Sequence, residues 1–169
     1  MNKIMQKIRV GEPLSENELK ALGFKVKEET RGFVTFFIRN GVSFTVIKDL
    51  AGETKVNIIT FEKNEFEKKK NEILKNDILE FLLRKVNAPQ KILNTAKKSN
   101  SITIEDLKKI GFIINHSLFV ANKDRIWATF IADQNKLKLT SLEVSVENND
   151  AQTLMFACKR AGAWKEAQY

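Results

Sequence analysis

Residues 32–48 read GFVTFFIRNGVSFTVIK. Two runs of β-branched and aromatic residues meet at Asn40-Gly41, a dipeptide that tolerates the two positive φ angles of a tight hairpin turn. The stretch is therefore expected to form two antiparallel strands, 32–39 and 42–48. Side chains alternate along a strand, so pairing across the turn puts Phe33, Phe37, Phe44 and Val46 on one face and Val34, Phe36, Ile38 and Ile47 on the other. Both faces are apolar. One suits helices of the same module, and the other calls for a second module, a homologous chain or a partner; mutual cover by two modules is the expectation.

Outward from the hairpin, strands are expected at 25–29 and 54–61, and helices before and after them. Ile4, Met5 and Ile8 have helical spacing, and Ser15-x-x-Glu18 is a capping box opening a short second helix that ends at Gly23-Phe24. Residues 63–87 read as one long helix with Ile73, Leu74, Ile78, Phe81, Leu82 and Val86 on a single face.

An offset of 88 residues sets 3–24 against 91–112 without a gap. Six of the 22 pairs are identical (Lys3/Lys91, Ile4/Ile92, Leu19/Leu107, Lys20/Lys108, Gly23/Gly111 and Phe24/Phe112), and they include the helix-ending Gly-Phe. Thr103-x-x-Asp106 takes the place of the capping box, and Pro89 stands at the first turn of the helix bearing Ile92, Leu93 and Ala96. An offset of 94 then aligns Arg31, Phe33, Thr35, Phe36 and Phe37 with Arg125, Trp127, Thr129, Phe130 and Ile131. Strands at 113–120, 125–133 and 136–146 follow, and a helix at 150–162 with Leu154, Cys158 and Ala161 as its stripe. The expected fold is α+β: a tandem repeat of two α-α-β-meander-α modules, 1–88 and 89–169, in a pseudo-twofold arrangement with antiparallel sheets.

The residue inventory narrows the chemistry. His116, the only histidine, falls among Ile113, Ile114 and Leu118 on an expected strand, where a structural role is the default. Cys158, the only cysteine, lies on an apolar stripe, so an inert buried thiol is expected and no internal disulfide or Cys-based zinc cluster is possible within one chain. The seven glycines are too scattered for a phosphate-cradling loop, and no G-x-S-x-G turn is present. Glu28-Glu29 and Glu105-Asp106 sit at turns and caps. These observations lead us to expect a protein that is not an enzyme and uses neither metal nor cofactor. The 169 residues contain no apolar run of about 18, so a cytoplasmic protein without a membrane partner is expected.

What remains is charge. With 29 basic against 21 acidic residues, the chain carries +8, divided as +4 on each module. That balance favours anionic partners. Arg31 with Phe33 and Arg125 with Trp127 combine a cation with an aromatic ring, so that arginine takes a phosphate while the ring stacks on a base; core aromatics beside edge charges are the other reading. The candidate nucleic-acid contacts are Arg31, Arg39, Lys68, Lys69, Lys70, Arg125, Trp127, Lys136 and Lys138, although the lysine triplet also fits a solvated helix face paired with Glu65, Glu67 and Glu72. Arg31-Gly32-Phe33 resembles the opening of the RNA-recognition-motif signature, but Val34, Thr35, Phe36, Phe37 and Ile38 depart from it. Gly-Phe leading straight into strand leaves no room for the recognition helix of a winged helix-turn-helix, and no family is assigned. Nucleic-acid binding by the two basic modules is the leading expectation. The alternative is a protein-binding module, such as a phage-type inhibitor or an assembly or adaptor factor, using an apolar sheet face or the helix with Ile78, Phe81 and Leu82. In either case the chain is expected to be a monomeric pseudo-dimer or a homodimer.

Overall fold

The computed structural model describes residues 2–30, 34–48, 54–62, 77–117, 119–146 and 150–164. Among them are six helices, α1 (Asn2–Val10), α2 (Glu16–Ala21), α3 (Asp77–Lys85), α4 (Gln90–Ser99), α5 (Ile104–Lys109) and α6 (Ala151–Arg160). The strands are β1 (Lys25–Thr30), β2 (Val34–Arg39), β3 (Val42–Lys48), β4 (Thr54–Glu62), β5 (Ile113–Asn115), β6 (Val120–Lys123), β7 (Ile126–Asp133) and β8 (Lys136–Val146). They form one eight-stranded antiparallel sheet in the order β1-β2-β3-β4-β8-β7-β6-β5. The α+β class is as expected.

The chain divides into two compact units, Met1–Phe61 with Val144–Tyr169, and Glu62–Glu143. These bounds differ from the sequence modules 1–88 and 89–169, because each closing helix packs against the first helix of the other module: α6 lies against α1, and α3 against α4.

In the first unit the Asn40-Gly41 turn forms as expected, with φ of 49° and 77°. It registers Phe37 opposite Phe44 and Thr35 opposite Val46, all four buried, while Val34, Phe36, Ile38 and Ile47 on the other face are half-buried. Phe33 lies outside the described residues. Asn40 also donates Nδ2 to the Ala161 carbonyl at 2.8 Å, tying the turn to the C-terminus of α6. Phe24 meets Phe44 edge to face, with centroids 5.1 Å apart, and Phe61 meets Phe156 of α6 at the same distance. The capping box is complete: Ser15 Oγ accepts from the Glu18 amide at 3.2 Å, and Glu18 Oε1 accepts from the Ser15 amide at 2.9 Å. Partial burial opposes the charge on Glu18, but the Lys7 ammonium at 2.6 Å together with the Ser15 amide and hydroxyl holds its carboxyl below the usual range.

Helix α2 ends where expected. Gly23 has φ of 88°, its amide bonds to Lys20 O, and the Phe24 amide bonds to Leu19 O, so the last carbonyls are satisfied by a left-handed glycine and the residue behind it. The Leu22 carbonyl is taken by the Arg39 guanidinium, which reaches back from the end of β2.

The second unit shows related local solutions. Thr103 accepts from the Asp106 amide at 3.1 Å, but no return bond closes the box, as fits a side chain one methylene shorter than glutamate. Gly111 has φ of 97°, and Lys123 Nζ donates to the Ile110 carbonyl at 2.6 Å, much as Arg39 does to Leu22. Helix α3 buries Ile78, Leu79, Phe81, Leu82 and Leu83, so the helix face put forward for a protein partner is inside the core. Glu80 on α3 bonds to Arg84 at 2.8 Å and lies 3.5 Å from Lys97 on α4; the Arg84 bond foremost holds its carboxyl below the usual range. Of the long helix expected at 63–87, residues 63–76 lie outside those described, and the described helix stops at Lys85, with Asn87 left-handed at φ of 55°.

Three expectations about strands need correcting. Residues 113–120 form no single strand: β5 ends at Asn115, whose Oδ1 accepts from the Ser117 amide at 3.1 Å, and Phe119 at φ of 52° turns the chain into β6. His116 therefore sits exposed in a turn. Arg125 belongs to the tight β6–β7 turn, next to Asp124 at φ of 51°, and β7 starts at Ile126. The offset of 94 consequently matches residues of β2, second strand of its run, with residues of β7, third strand of its own.

Candidate nucleic-acid interface

Strand β7 alternates cleanly. Ile126, Ala128 and Phe130 are buried, so Trp127, Thr129 and Ile131 project from the opposite face. The pairing extends that face sideways: Trp127 opposes Asn122, which opposes Ile113, and Thr129 opposes Val120, which opposes Asn115. Only Gln134 and Asn135 separate β7 from β8, which sets Thr129 beside Thr140, whose hydroxyl donates to the Thr129 carbonyl at 3.1 Å. The same count sets Ile131 beside Lys138.

Large apolar side chains stand open on this face. Trp127 is 39% exposed, Ile131 54% and Ile113 75%. Such exposure in one sheet face costs hydration free energy, about 25 cal/mol for each Å² of apolar surface left in water, that a bound ligand recovers. Cations border it. Arg125 is exposed in the turn preceding Trp127, Lys136 is exposed at the start of β8, and Lys138 is half-buried two residues on. Asp124, Asp133 at the end of β7, and Glu143 are the acidic residues of the same stretch. Asn122 spends its amide nitrogen on the β6–β7 turn, donating to the Ile126 carbonyl at 3.0 Å, which holds the turn carrying Arg125.

Of the candidate contacts, Arg125, Trp127, Lys136 and Lys138 thus fall within one compact unit, on β7, β8 and the turn before β7. Arg39 is half-buried in the other unit and caps α2. Arg31, Lys68, Lys69 and Lys70 lie outside the described residues. Ile113 and Ile131 were not singled out from sequence; the alternation of β7 was the signal that pointed to Ile131, whereas Ile113 became visible only through its pairing with Asn122.

Elsewhere the chemistry is sparse. Cys158 is fully buried on α6, and desolvation pushes its thiol up to about 12. Among the described residues no three His, Cys, Asp or Glu side chains gather to hold a metal ion. No described helix is long and apolar enough to cross a membrane. The chain matches no protein-family model, no curated protein and no solved structure.

Proposed function

We propose that this chain is a non-enzymatic cytoplasmic protein that binds nucleic acid through the β5–β8 face of Glu62–Glu143. The observation that carries the reading is Trp127, exposed on a sheet face that Arg125 borders at one end and Lys136 and Lys138 at the other. An exposed ring among cations matches the two needs of a nucleic-acid contact, a surface for bases and charge for phosphates. The balance of the unit supports it: 16 basic against 11 acidic residues fall in Glu62–Glu143.

The test is a salt titration of binding to mixed-sequence DNA and RNA. Three cations meeting three phosphates of a single strand give a slope near −2 in log K against log salt, about a twentyfold loss between roughly 50 and 200 mM. Undetectable binding, or affinity indifferent to salt, overturns the reading.

The same proposal includes an origin by tandem duplication of modules 1–88 and 89–169. It is supported by the order α-α-β-β-β-β, which precedes a closing helix in both halves, and by the paired helix ends at Gly23 and Gly111 with a basic side chain on each last carbonyl. A second reading, docking of a protein partner, is favoured by the half-buried apolar row Val34, Phe36, Ile38, Ile47 and Ile58 in the first unit. It predicts a nuclease-resistant complex that is lost on placing lysine at Phe36 and left intact by changes at Trp127.

A further inference from the structure

We infer that the ligand of the β5–β8 face is single-stranded nucleic acid, held by an unpaired base stacked on Trp127. This inference rests on the nucleic-acid reading above and narrows it to one substrate class.

The argument starts from what the face exposes. A duplex presents phosphates and sugars to a flat sheet and keeps its bases stacked inside, so Ile113, Trp127 and Ile131 would be pressed against charged backbone. An unpaired strand presents base faces instead, and these can cover apolar and aromatic surface at no unstacking cost from a helix. The cations fit the same geometry. Arg125 precedes Trp127 by two residues in the chain, and Lys138 lies beside Ile131, so positive charge flanks the apolar row near both ends and leaves its middle for bases. Trp127 and Ile131 share the face four residues apart, about 13 Å along an antiparallel strand, which gives a row longer than one base.

The backbone that presents Trp127 is anchored on both sides. Its strand neighbours Ile126 and Ala128 are buried, and the turn before it is held by the Asn122 amide, so the ring needs little ordering when a base arrives.

The experiment compares the affinities of the full chain for three probes: an oligothymidylate of roughly a dozen residues, within common single-strand site sizes, an abasic strand of the same length, and a duplex of that length. The oligothymidylate is expected to bind roughly 5- to 150-fold more tightly than the abasic strand, the range that alanine substitution of one stacking residue covers. Trp127→Ala should bring it down to the abasic level without changing abasic binding, and Trp127→Phe should retain most of the difference. Intrinsic fluorescence adds a direct readout, because Trp164, the other tryptophan, is buried and Trp127 is the ring a base can quench. Circular dichroism confirms that both variants fold. If the abasic strand or the duplex binds as well as the oligothymidylate, or Trp127→Ala leaves the difference intact, base stacking is overturned while nucleic-acid binding stands. If none of the three binds, both inferences fall.

Discussion

Substituting Gly23 by alanine probes the contact by which the first unit ends a helix. Two effects combine. Gly23 sits at φ of 88°, a left-handed conformation that costs an L-residue about 1–2 kcal/mol. A Cβ there would also stand 2.8 Å from Arg39 Nη1, so the guanidinium must shift, at the expense of its bond to the Leu22 carbonyl. A hydrogen bond to a charged group contributes about 1.5–3 kcal/mol, so Gly23→Ala should cost about 3 kcal/mol or more. Gly111→Ala is the matched control. Its φ of 97° is as demanding, but its Cβ would stand 3.2 Å from Lys123 Nζ, an approach relieved by a shift of a few tenths of an ångström that keeps the bond to the Ile110 carbonyl, so about 1–2 kcal/mol is expected. Urea unfolding in a Trp127→Phe background isolates the signal of Trp164 in the first unit, and far-UV circular dichroism follows the whole chain. A double-mutant cycle completes the test: with Arg39→Met already in place, Gly23→Ala should cost only the backbone share. The reasoning is refuted if Gly23→Ala costs no more than Gly111→Ala, or if its cost is undiminished in Arg39→Met.

Three further outcomes follow from the packing. The folded-state pKa of Glu18 lies below its ordinary value of 4.5, so the stability it contributes is present above that value and is lost as pH falls through the lowered one; Glu18→Gln should flatten this part of an acid unfolding profile. Asn40→Ala removes both a residue tolerant of φ at 49° and the donor to the Ala161 carbonyl, and should cost about 1–3 kcal/mol in urea unfolding. Cys158, buried and with its thiol at about 12, should react with a chromogenic disulfide at neutral pH only at the rate at which the first unit opens, and adding subdenaturing urea should speed that reaction.

The parts of the fold legible in the sequence were those with a local physical cause. Asn40-Gly41 fixed a turn, and the turn fixed the register that buries Phe37 and Phe44. Ser15 with Glu18, and Gly23 with Phe24, marked the two ends of α2 for the same reason: each satisfies backbone groups within a few residues. The break between β5 and β6 was hidden because residues 113–120 carry enough β-branched and aromatic side chains to read as one strand. What ends the strand is an asparagine side chain bonding two residues on and a phenylalanine in a left-handed conformation, which that residue type does not advertise. At the candidate site, Trp127 and Arg125 were visible as residue types, but the exposed face was not. Isoleucine favours a strand on either face, so Ile131 was told from a core position only by the burial of Ile126, Ala128 and Phe130, and Ile113 only by its pairing with Asn122 and its own exposure. The choice of helix partners left no local trace, since α6 meets α1 across nearly the whole chain.

That exchange of partners changes what the charge means. Counted by sequence module the +8 divides evenly, but the compact units are what a ligand meets. By that division Glu62–Glu143 carries +5 and the remainder +3. The richer share lies with the unit that holds the β5–β8 face, and this unit is continuous in sequence, so the strands presenting Arg125, Trp127, Lys136 and Lys138 are joined by short connections. Contacts of that kind close small loops at little entropic cost. The other unit is assembled from both ends of the chain, and its long-range contacts, α1 with α6 and Asn40 with Ala161, serve its own core. The proposed binding face therefore draws its geometry from a locally connected meander, and the excess of basic residues in the same unit is what makes that geometry suited to an anionic strand.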